Sequence, residues 1–261
     1  MVFSNSSCIE STDPEIVRTV ALLRLVAQRL GVSSRFKFGV AIDAALSDLG
    51  RVSHTQSGHW YGYIDGLRPL SRSRDKLLDS LCELFPDAAD LYQEGPADLW
   101  RAMWGDPGVL WQLCRTRVSN HGSWDDDAIW SQIESGFIKE KTVGDALCEF
   151  EKNLLRVNAN DESLTLRHLT EAVALYRLHQ FLNSVAPSGL NGVGAYRCVS
   201  ICLDDVNIWW ELHQLGVFHS VRDMLTEIEI GRLSRERSYR LAVGIESHQI
   251  ALYADDPLSW I

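Results

Sequence analysis

The 261-residue sequence predicts an all-α fold, and three observations carry that prediction. Apolar residues recur at helical spacing through most of the chain. Asp, Pro and Gly stand where helices would start and stop. No internal repeat or low-complexity tract breaks the pattern. With 46% apolar and 23% charged residues, the composition is that of a globular chain. A chain of this length can bury most of its apolar surface without disulfide or metal staples.

The elements follow in order. Residues 1–12 read as a loose terminus. Asp13-Pro14-Glu15 is a helix start, with an Asp cap, Pro in the first position and an acid in the first turn. Ile16, Val17, Val20, Leu23, Leu25, Val26 and Leu30 form its apolar face, and Gly31 ends it. Val40–Leu49 is a second short helix closed by Gly50. Ser73–Phe85 places Leu77, Leu78, Leu81, Leu84 and Phe85 on one face, and Pro86 stops it. Between Tyr92 and Trp111, Gly95-Pro96 and Gly105-Asp106-Pro107-Gly108 punctuate two short helices that carry Trp100, Trp104 and Trp111.

Arg117–Asp127 is the most polar loop, so the predicted division is a helical subdomain at 13–116, a loop at 117–124 and a helical C-terminal domain at 125–261. In that second part, Asp125–Ser135, Thr142–Leu155 and Ser163–Val185 read as helices. Leu164, Leu166, Leu169, Val173, Leu175, Leu178, Phe181 and Leu182 supply the apolar positions of the third. Pro187–Gly194 breaks the chain. Arg197–Leu215, Val217–Ile230 and Leu233–Tyr253 read as three further helices. Aromatic and β-branched residues around Cys198–Trp210 leave a strand open there, and Gly244 weakens the last helix.

Charge and cysteine usage narrow the class. The net charge of −10 disfavours indiscriminate nucleic-acid binding. The charge is uneven, however: Arg29–Lys76 holds eight Lys/Arg against four Asp, and Leu77–Glu151 five against fifteen acids. Six dispersed cysteines without a signal peptide predict reduced thiols in a cytoplasmic protein. No stretch approaches the roughly 18 apolar residues of a membrane span, so no membrane partner is expected.

Ser53–Pro69, SHTQSGHWYGYIDGLRP, is the one segment that suggests a ligand class. Ser53, His54, Thr55, Gln56, Ser57 and His59 are hydrogen-bonding groups at the start of a helix, suited to base edges in a major groove. Trp60, Tyr61, Tyr63 and Ile64 would anchor its inner face. Gly66 supplies a turn, and Arg68, Arg72, Arg74 and Lys76 are available for phosphates. On Tyr63, Gly66, Arg68 and Pro69, followed by Leu77, Leu78 and Leu81, residues 40–85 resemble the Cro/repressor-like helix-turn-helix domains. The resemblance implies an exposed recognition helix, a Gly turn and a packing helix, with double-stranded DNA as partner. The first helix of that motif would fall at Ala41–Gly50, and Gly58 lies inside the recognition helix. A helix-turn-helix retained only as a scaffold, and a plain helix-loop-helix with GLRP as a surface turn, are the other two readings.

Other constellations carry less. His54 and His59, His168 and His179, and His213 and His219 lack the spacing of a chelating pair. Cys198 and Cys202 have no second pair at zinc spacing and read as core residues, so no metal is expected. Asp125-Asp126-Asp127 beside His121, and Asp204-Asp205, read as helix-start acids or solvated faces. No phosphate-binding glycine loop or nucleophile elbow is present, so neither a cofactor nor an enzyme is expected. Arg232, Arg235, Arg237 and Arg240 form a run that could bind phosphates or an acidic partner, and the favoured reading is that it pairs with the acidic middle of the chain. The resulting expectation is a sequence-specific DNA-binding protein, most simply a dimeric transcriptional regulator with a helical sensing or dimerisation domain. The alternative is a helical adaptor, antitoxin-like or assembly-subunit protein that binds a protein partner without touching DNA.

Overall fold

A computed structural model describes residues 8–48, 50, 59–73, 76–118, 140–160, 162–185 and 192–260. Among them the all-α class holds: every regular element is an α- or 3-10 helix, apart from one isolated bridge between Val118 and Glu140. No helix among the described residues is long and apolar enough to cross a membrane.

The chain divides into two compact units. The first comprises the residues up to Pro96 together with Trp209–Leu225; the second comprises Ala97–Ile208 with Thr226–Ile261. This differs from the division at 117–124 read from the sequence. A polar loop marks solvent, whereas a unit boundary depends on which distant helices share a core.

The first unit opens with α1 (Pro14–Arg29). The Asp13 carboxylate accepts from Glu15 N at 3.0 Å, as the sequence signature predicts. Residues 8–10 are not loose: Cys8 is buried, Ile9 N donates to Gly216 O at 3.0 Å and Ser220 Oγ donates to Ile9 O at 2.9 Å. Helix α2 (Arg35–Asp48) starts five residues before the predicted Val40 and buries Phe38, Ile42 and Leu46, one residue per turn. Helices α3 (His59–Ile64), α4 (Leu77–Leu84) and α5 (Ala88–Gln93) complete the core around Leu22, Leu23, Val26, Trp60 and Leu81. α1 packs against α3 and α5, and α2 against α3 and α4.

The second unit is organised around one helix. α6 (Leu99–Trp104), α7 (Pro107–Leu113), α8 (Val143–Ala159) and α10 (Ala195–Asp204) all pack on α9 (Leu166–Val185). Its buried residues Leu169, Thr170, Ala172, Val173, Leu175 and Tyr176 therefore point in all directions rather than along one stripe. Cys198 and Cys202 are buried in α10, as core residues. The segment left open as a strand is helical: α10 ends at Asp205, whose side chain accepts from Asn207 N at 2.8 Å, and α11 (Val206–Gln214) starts at once. Helix α12 (Phe218–Arg235) runs past the predicted Ile230. The predicted helix Leu233–Tyr253 is two, α13 (Arg237–Val243) and α14 (Ile250–Asp255), because Gly244 adopts φ +82° and ends α13. The predicted helix Asp125–Ser135 lies outside the described residues.

Candidate functional site

The predicted DNA-reading surface belongs to the first unit. Trp60, Tyr63 and Ile64 are buried, as the sequence predicts, and Tyr61 is half-buried. Trp60 Nε1 donates to the buried Asp43 carboxylate at 2.9 Å, and its ring meets Phe38 edge-on with centroids 5.9 Å apart. The short helix is thus anchored by an aromatic side chain with both apolar and polar ends satisfied. Gly66 adopts φ +71°, and a Cβ there would lie 2.8 Å from Ile9 Cγ2. The turn that follows α3 therefore requires glycine on two counts.

Cations surround this turn. The Arg68 guanidinium lies over Gly62, and Arg68 N donates to Gly62 O at 3.1 Å. Arg72 stands 3.8 Å from Asp13, an exposed and weak pair. Arg35 reaches from the start of α2 to Asp65 at 2.5 Å, with its guanidinium over the Tyr61 ring. Arg68, Arg72 and Lys76 are all exposed. Ser53, His54, Thr55, Gln56, Ser57 and Arg74 lie outside the described residues, as does the side chain of His59, the first residue of α3. Of the predicted cations, Arg68 thus lies beside Gly62 of α3 and Arg72 beside Asp13 at the start of α1, and Arg35, which the sequence reading had not selected, reaches Asp65 next to Gly66.

The second unit contains a buried polar cluster that the sequence reading missed. Glu229 on α12 is fully buried and accepts from Tyr176 Oη at 2.6 Å and Tyr239 Oη at 2.9 Å. Burial pushes its carboxyl up to about 7, against the two hydroxyls and the Arg232 charge, which favour the anion. Arg232, one turn on, is also fully buried; its guanidinium carbon lies 3.6 Å above the Tyr239 ring and Nε donates to Glu236 at 3.2 Å. Asn183 Nδ2 donates to the same Glu236 oxygen, Oε2. Arg232 was expected as part of a basic run paired with the acidic middle of the chain; in the structure it is fully buried and its contacts include Glu236, Tyr176 and Tyr239. Arg240 likewise donates to Leu233 O at 3.0 Å. The only sequence signal was the i, i+3 and i, i+7 spacing of Glu229, Arg232 and Glu236, which ordinary surface helices also show.

Phe181 and Leu182, expected among the apolar core positions of α9, are exposed instead. Phe181 shares a solvent-facing stripe with Arg177, Gln180 and Ser184, and that stripe forms one wall of a cleft of about 260 Å³ in the second unit. Among the described residues no group of three or more His, Cys, Asp or Glu side chains could hold a metal ion. No family model matches the chain, and neither the curated proteins nor the solved structures contain a match to it.

Proposed function

We propose that this protein binds double-stranded DNA through the surface of the first unit formed by α3, the Gly66 turn and the chain up to Lys76, and that it acts as a transcriptional regulator. The observation that supports this most is the separation of roles around α3. Trp60, Tyr63 and Ile64 are spent on the core, while Arg35, Arg68, Arg72 and Lys76 are left at the surface. Such cations fix a protein on phosphates, and the polar side chains that the sequence supplies from Ser53 to Ser57 and at His59 would meet base edges. A dimer would double the contact and read two half-sites. The overall charge of −10 would keep non-specific binding weak.

The test is titration of the full chain onto DNA fragments flanking its own gene at several salt concentrations. The expected result is steeply salt-dependent binding, with the doubly substituted Arg68→Ala/Arg72→Ala protein binding at least about tenfold more weakly and with a log–log salt slope smaller by about 2. Binding that is absent, or identical in the double variant, overturns the proposal.

One observation favours the adaptor reading. Trp209 and Trp210 sit side by side on α11, ring centroids 6.1 Å apart, and both are exposed; Trp209 stacks on His213 at 5.0 Å. Exposed tryptophans are over-represented at the centres of protein interfaces. On that reading Trp210→Ala abolishes a stoichiometric complex recovered from cells and leaves DNA binding untouched.

A further inference from the structure

The cleft in the second unit has three walls. The first is the α9 stripe Arg177, Gln180, Phe181 and Ser184, four residues at i, i+3, i+4 and i+7 on one face. The second is the corner between α6 and α7, where Pro107 and Leu110 give an apolar floor. The third is the end of α12, with Arg235 and then Glu236.

Arg177 is the informative side chain. It is half-buried, and its Nη1 donates to two backbone carbonyls, Ala102 O and Gly105 O, each at 3.1 Å. Those bonds hold the planar fork still, and they use one nitrogen of three. Among the described residues no carboxylate lies within ion-pair distance of Arg177 or Arg235. Burial depresses the Arg177 pKa, and no neighbouring charge offsets it. A partly desolvated guanidinium with no counter-charge is costly, and buried charges are ordinarily paired. Arg235 adds a second cation: its guanidinium folds back along α12, close enough that a Cβ on Gly231 would sit 3.2 Å from Nη1. Glu236 on the same wall is engaged by Arg232 and Asn183.

The geometry points to a binding site for a small monoanionic carboxylic acid with an apolar body: the carboxylate on Arg177 and Arg235, the body on Phe181, Pro107 and Leu110. A guanidinium fork matches a carboxylate in two parallel hydrogen bonds. The Glu236 carboxylate on the wall disfavours a dianion such as a phosphate monoester. The volume of about 260 Å³ lies just under the roughly 300–1,000 Å³ of common ligand pockets, so the acid is small. This site is independent of the DNA reading, because it lies wholly in the second unit and its test involves no DNA.

The probes are benzoate, benzamide and phenyl phosphate, titrated calorimetrically and by ligand-detected NMR against the full chain. Benzoate is expected to bind, and benzamide to bind at least about tenfold more weakly. Arg177→Gln is expected to lower benzoate affinity about tenfold or more, and Arg235→Gln about threefold. Because Arg177 also ties down the α6–α7 corner, its variant is checked by thermal unfolding; if it does not fold, the exposed Arg235→Gln variant and the benzoate-to-benzamide ratio decide. Equal binding of benzoate and benzamide, or no binding of benzoate at millimolar concentration, or no effect of Arg235→Gln, overturns the site. Phenyl phosphate binding more tightly than benzoate overturns its assignment to a carboxylate.

Discussion

Replacing Glu229 by glutamine should change how stability depends on pH, and the size of the change follows from the geometry. The Glu229 carboxyl titrates near 7 in the folded chain, against an ordinary value of 4.5. The folded state therefore holds a proton that the unfolded state has released between those values. Stability contributed by this group is full below about pH 4.5 and falls as pH rises towards 7, where the folded group ionises too. A difference of that size, at about 1.36 kcal/mol per unit, amounts to about 3 kcal/mol.

The glutamine amide of the Glu229→Gln variant would mimic the protonated acid, with one acceptor oxygen and one donor group facing the Tyr176 and Tyr239 hydroxyls. Both phenols are raised by burial and remain protonated throughout the window. His168 and His179 are lowered by burial and act in the opposite sense, losing stability as pH falls through 6.5. The measured quantity is therefore the difference between wild type and variant, in which the histidine terms cancel. Urea unfolding of both proteins from pH 5 to pH 8 should show Glu229→Gln gaining on wild type by up to about 3 kcal/mol as pH rises, levelling above 7. Curves that stay parallel across the range would show that the carboxylate is not disfavoured by its surroundings, and the reasoning would be refuted.

Two further predictions concern the backbone and the thiols. Gly66→Ala forces a Cβ into φ +71° and against Ile9 Cγ2, so it should cost about 1–2 kcal/mol for the backbone and more for the contact, read as a lower thermal midpoint; an unchanged midpoint would mean that the turn relaxes freely. Among the six cysteines, Cys148 is exposed and Cys82 intermediate, whereas Cys8, Cys114, Cys198 and Cys202 are buried. Burial pushes the Cys198 thiol up to about 12. A thiol reagent at pH 8 should modify Cys148 first, and the four buried cysteines only on unfolding; rapid modification of Cys198 or Cys202 would contradict their place in the core.

Helix starts and stops were legible where a local group decides them. Asp13 caps α1 as its sequence signature predicts, and the Gly105–Gly108 break falls where α7 starts, capped by Asp106, which accepts from Gly108 N at 2.8 Å, because an N-cap needs only residues two or three positions away. The Gly66 turn and the inward aromatics of α3 were legible for the same reason. Helix ends governed by tertiary contacts were not. Ser163–Thr165 read as helical but precede α9, and Arg35–Gly39 read as a connection but begin α2, because Phe38 finds a buried place. The segment proposed to meet DNA was singled out by its residue types alone, and Arg35 joins it only through its reach to Asp65 and Tyr61.

The periodicity of apolar residues determined that this chain is helical, since a helix buries a face set by neighbours three and four positions apart. Which helices share a core was decided by tertiary structure alone: Trp209–Leu225 joins the first 96 residues, and α9 is wrapped on several sides. The same holds for the polar clusters. Arg232 reads as one charge in a basic run, yet it is fully buried because Tyr176, far back in the chain, and Tyr239 supply the surfaces that enclose it. Local hydrogen bonds and capping operate over a few residues and are written in the sequence. Burial sums over partners that are distant along the chain, and only the folded molecule brings them together.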